Sequence, residues 1–159
     1  MLGRMALVAV GLLFTAGVVN AKVPRAVAGK AYLTPERIKD QDPAALAKLF
    51  AKRKPQIELK REKDGHWKAT LVAFFRKASA HGPITLWLYD KADKAALRAK
   101  EPVHVMSVNN SAPKEVFIYD LDIDPGYGFN KKHTYLIFVG QIIGKRDARY
   151  ATGEVSLAE

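Results

Sequence analysis

The chain of 159 residues contains no cysteine. That absence excludes a disulfide framework, thiolate zinc sites, cysteine nucleophiles and a lipid-modified cysteine anchor. Acid is scarce as well: 16 Asp and Glu face 26 Lys and Arg, a formal charge of +10 at neutral pH. The longest apolar run, Ala6 to Val19, falls short of the roughly 20 residues a spanning helix needs. No internal repeat is visible, and His66, His81, His104 and His133 lack zinc-ligand spacing. The neighbourhood of Ser79 and His81 has no glycine frame of a nucleophile elbow. Gly126 to Lys132 falls between two strand patterns instead of between strand and helix, which removes it as a phosphate loop. No catalytic motif and no cofactor motif is present.

What is present begins with an export leader. Arg4 supplies a basic start, the apolar run follows, and Val19-Asn20-Ala21 offers small residues for a signal peptidase. Residues 1–21 therefore read as a signal peptide, with Lys22 as the mature start and an uncleaved anchor as the alternative. Loss of Arg4 leaves 25 basic residues against 16 acidic ones, so the mature chain stays at +9. A cysteine-free exported chain fits a bacterial periplasmic or secreted setting.

Residues 22–54 hold nine basic groups against three acidic ones. Lys22 to Leu33 is rich in small residues, Pro and Gly, and reads as a linker. Thr34-Pro35-Glu36 resembles one helix start. Asp42-Pro43 is a better one, since Ala44 to Lys54 places Leu46, Leu49 and Phe50 on one side before Pro55 stops the helix.

From Pro55 the period changes from helical to alternating, and the remaining residues, 55–159, form the main domain. Strands are expected at 56–61, 67–76, 84–89, 103–108, 115–123, 134–143 and 150–157, separated by turn residues. Lys91 to Lys100 reads as a short helical or irregular crossover. Seven strands with one long crossover predict a mainly β domain, a Greek-key β-sandwich.

The run Leu121 to Val139, with a Leu and a Pro-Gly turn ahead of Tyr135, resembles the corner of fibronectin type III and immunoglobulin-like domains. The resemblance covers about two-thirds of the chain, with a longer loop and without paired cysteines. It implies that the Tyr135 hydroxyl ties the corner to upstream backbone, and that the domain binds or scaffolds without identifying a ligand.

Both faces of two strands are apolar. Around Ile84, Leu86 and Leu88 the alternate positions are Trp87 and Tyr89; around Tyr135, Ile137 and Val139 they are Leu136 and Phe138. One set fills the core and the other forms a patch too large to leave wet without reason. Leu46, Leu49 and Phe50 of the helix are the candidates to cover it, unless the patch and the helix receive a partner.

Asp120, Asp122 and Asp124 project from one strand face and are candidate calcium ligands, although Pro125 and Lys131 stand where an EF-hand needs Gly and Glu. Lys145, Arg146 and Arg149 lie at the opposite pole from Lys131 and Lys132, so no continuous cationic track for nucleic acid forms. The expected function is that of an exported non-catalytic interaction protein of the cell envelope, binding another protein or an anionic surface. The alternative is a small ligand-binding domain, with calcium at the aspartates or a glycan against Trp87 and Tyr89. Intact-mass analysis of the protein from its native host should show a chain beginning at Lys22; a chain retaining Met1 in the membrane fraction would establish the anchor instead.

Overall fold

A computed structural model describes residues 23–38, 42–54 and 56–159. The leader lies outside the described residues. Among the described residues eight strands and two α-helices follow one another, with a single 3-10 turn at Pro125–Tyr127: β1 (Lys30–Thr34), α1 (Pro43–Ala51), β2 (Gln56–Leu59), β3 (Trp67–Phe74), β4 (Ile84–Asp90), α2 (Lys94–Ala99), β5 (His104–Val108), β6 (Val116–Ile123), β7 (Thr134–Ile143) and β8 (Arg146–Leu157). The strands join into one curled sheet in the order β5-β4-β7-β8-β1-β3-β6, with β2 also paired to β8. The architecture is mainly β and compatible with a β-sandwich. Among the described residues no helix is long and apolar enough to cross a membrane.

The alternation in the sequence maps directly onto the curl. Leu86, Leu88, Ile137 and Val139 from one half of the sheet share a single core with Leu71, Ala73, Phe117 and Leu121 from the other. Inside it the buried Tyr135 hydroxyl accepts a hydrogen bond from the Asn130 N–H at 2.6 Å. Burial holds its pKa above the ordinary tyrosine range.

Two expectations from sequence need correction. Lys30 to Thr34, read mostly as linker, is β1, an interior strand paired antiparallel with β3 from Lys30 opposite Phe74 to Thr34 opposite Thr70. Its small residues read as linker, yet Ala31 is buried in the core with its carbonyl oxygen close against Gly153 of β8. Thr34 then ends the strand and does not cap a helix.

The second correction concerns α1. Asp42 caps it through a bond from the Ala45 N–H at 3.1 Å, and Pro43 occupies its first turn. The helix does not cover Trp87, Tyr89, Leu136 and Phe138. Leu46, Ala47 and Phe50 pack instead with Tyr32, Val72 and Phe74, the outward residues of β1 and β3. Phe50 lies 5.2 Å from the Tyr32 ring and 6.0 Å from that of Phe74, while Arg53 sits over its face at 5.1 Å. Leu49 is 41% exposed. The chain direction decides this: β2 starts five residues after α1 and pairs with β8, which confines the helix to the β1 side.

Phe50→Ala is therefore expected to destabilise by about 3–5 kcal/mol, the usual range for an emptied aromatic core site, and Leu49→Ala by no more than about 0.5 kcal/mol. Denaturant unfolding of both variants checks this. Equal losses would show that the helix buries a different face.

Candidate functional site

On the outer face of β4 and β7, beside β8, alternation puts apolar side chains outward with no helix above them among the described residues. Trp87 stands opposite Phe138 and Tyr89 opposite Leu136 in the β4–β7 ladder. Tyr89 and Phe138 meet edge to face with ring centres 5.5 Å apart. The four residues are thus brought together as their spacing predicts.

Arg149 completes the group. The β7–β8 ladder has an irregularity between Val139 and Gly140 that sets Arg149 opposite Gly140. A Cβ on Gly140 would come within 2.0 Å of the Ala148 carbonyl oxygen, so only glycine lets the two strands approach there. From this position the Arg149 guanidinium lies 4.1 Å from the centre of the Phe138 ring and 5.7 Å from that of Tyr89. Its Nη2 also donates to the Tyr89 hydroxyl at 3.2 Å. A stacked guanidinium is weakly hydrated and keeps its charge, so it shields the rings and leaves the face cationic.

Beside it lies a cleft of about 580 Å³ lined by Lys30, Lys54, Gln56, Leu136, Phe138, Thr152, Gly153 and Glu154. It exists because β1 leaves β8 after the Lys30–Thr152 pair and β2 takes the same edge from Glu154 onward. Leu136 and Phe138 form an apolar floor and are half-buried. Glu154 is held by Lys91 at 3.0 Å, whereas Lys30 and Lys54 make no ion pair with a described residue.

Trp87 and Tyr89, by contrast, are only 5% and 3% exposed. Their ring faces are not open for a sugar to stack on, which corrects the glycan expectation. Leu46 and Phe50 belong to the helix-covered half, and Lys145 and Arg146 to the tip of the β7–β8 hairpin. Lys30, Lys54, Gln56, Thr152 and Glu154 were missed by sequence reasoning. Gly153 was the available signal, since a glycine inside a strand marks close backbone approach.

The three aspartates are divided among different partners. Asp120 accepts from the Thr70 hydroxyl at 2.9 Å and pairs with Arg37, Asp122 pairs with His66 at 2.7 Å, and Asp124 accepts from the Gly126 N–H at 2.7 Å. No group of three or more potential ligands is positioned for a metal ion among the described residues. The hydrogen bond to Asp122 raises the His66 pKa above its ordinary value, with the charges of Asp122 and Asp124 adding to it. A raised histidine contributes stability fully below the unfolded-state value, about 6.5, and loses that contribution as pH rises through the folded-state value. In an NMR titration His66 should thus titrate above the ordinary range, and Asp122→Asn should bring it down. Added calcium is expected to leave the midpoint in place; a downward shift with calcium would restore the aspartates as ligands.

Compared with family models, with curated proteins and with solved structures, the chain matches none.

Proposed function

We propose that the protein is an exported, non-catalytic interaction protein of the bacterial cell envelope, and that it holds a protein partner on the outer face of β4, β7 and β8. The observation that carries the reading is the cleft floored by Leu136 and Phe138 beside the Arg149 guanidinium, with Lys30 and Lys54 on its rim. An apolar floor with fixed cations at its edge suits an apolar side chain flanked by acidic residues. An antiparallel sheet face left to water ordinarily carries polar residues at these positions. Export is supported by the leader pattern of residues 1–21.

The immunoglobulin-like reading of the fold belongs to the same proposal. It is supported by the bond between the Tyr135 hydroxyl and Asn130 backbone, which joins the head of β7 to the loop before it. A domain of that kind uses sheet faces and loops for recognition.

Thr152→Glu alters the cleft rim without touching the core. Photo-crosslinking from position 136 in native envelopes should recover one discrete protein adduct, and the Thr152→Glu change should diminish it at an unchanged melting temperature. An absence of any protein adduct at native abundance would sink the proposal.

A further inference from the structure

The two ends of the curled sheet differ in charge. At the end formed by the β7–β8 hairpin lie Lys145 and Arg146 in the hairpin, Arg76 and Lys77 after β3, Lys114 before β6, and Arg25 before β1. All six are exposed, and the acidic residues beside them in these segments are Glu115 and Asp147. Short contacts hold the segments together. Gln141 of β7 accepts from the Ala80 N–H at 2.8 Å, Ser79 donates its N–H to the Lys114 carbonyl at 2.8 Å, and Arg25, Arg76 and Glu115 line one cleft. None of the six cations makes an ion pair with a described residue. At the opposite end part of the cations are paired with carboxylates, as Lys68 to Asp64 and Lys131 to Glu159, while Lys63 and Lys132 make no ion pair with a described residue.

The tip of the same hairpin is apolar. Ile142 and Ile143 are 57% and 53% exposed. Consecutive strand residues point to opposite faces, so both are exposed only if the tip projects beyond the body of the sheet. They pair with Asp147 and Arg146, and the turn between the strands is Gly144-Lys145, with Gly144 at φ +63°. Two bare isoleucines flanked by cations combine an apolar wedge with an attraction for anionic headgroups.

The position of the chain start adds a third observation. The apolar run of residues 6–19 leads into Val23, and Val23 lines the cleft with Arg25, Arg76 and Glu115 at this cationic end. The first described residue of the chain thus lies at the end that carries the wedge.

We infer that the hairpin end docks onto an anionic phospholipid surface, with Ile142 and Ile143 entering the headgroup layer and Lys145 and Arg146 pairing with its phosphates. This goes beyond the outer-face reading and is independent of it. Docked this way, the domain turns the end that carries the Lys68–Asp64 and Lys131–Glu159 pairs away from the bilayer.

The full chain carrying Ile143→Trp provides a direct readout, because Trp67 and Trp87 are buried and give a constant background. With vesicles containing phosphatidylglycerol, the emission should shift to the blue and be quenched by brominated acyl chains. Pure phosphatidylcholine vesicles should give neither response, and raised salt should reverse both. Lys145→Gln with Arg146→Gln should weaken the response on the order of tenfold or more, and Ile142→Ser with Ile143→Ser should weaken flotation of the otherwise native chain. Co-flotation without a change at position 143 would mean attachment through the leader alone and would overturn the inference. So would a blue shift that depends on protein concentration without vesicles, which would make the tip a contact between two copies.

Discussion

Strand β8 is the constraint on which the rest of the fold depends. One edge of it pairs with β7 along the whole length, from Ile143 opposite Arg146 to Thr134 opposite Ser156. Its other edge is shared, first by β1 at Thr152 and then by β2 from Glu154 to Leu157. The exchange takes place at Gly153, where a Cβ would come within 2.2 Å of the Ala31 carbonyl oxygen. Backbone cannot yield as a flexible side chain can, so the glycine is what lets β1 cross toward β3 and the sheet curl around one core.

That exchange also creates the cleft on the outer face of the sheet. Because β1 diverges and β2 replaces it, Lys30 at the start of one strand and Lys54 ahead of the other line one cleft with Leu136 and Phe138. The same connection confines α1 to the β1 and β3 half, where Phe50 fills a space between Tyr32 and Phe74. One half of the outer surface is closed by the chain itself. The other half is left with an apolar floor and the Arg149 cover.

Arg149 and the hairpin tip divide the basic loop of β8 between two roles. Arg149 turns back over the rings of Phe138 and Tyr89, guided by the irregularity at Gly140. Lys145 and Arg146, three or four residues earlier, are exposed together with Ile142 and Ile143. The six cations gathered at that end, none of them ion-paired with a described residue, are a local feature that the net charge of +10 does not by itself reveal.

The sequence by itself determined the mainly β class, the position of the seven strands from Gln56 onward, the capped helix after Asp42, and the presence of two opposed apolar sets on β4 and β7. Each of these rests on local periodicity, which the side-chain order states directly. It did not reveal β1, because Ala31 and Gly29 in a segment with Pro24 carry no alternation signal and are small for the sake of neighbours far along the chain. Nor did it place α1, since Leu46 and Phe50 fit any apolar face, and only the attachment of β2 to β8 selects Tyr32, Val72 and Phe74. The cleft, the Arg149 stack and the separation of charge between the two ends were likewise decided by tertiary structure. All three depend on which strands become neighbours, and strand pairing over long separations is a property of the folded sheet and not of any window of residues.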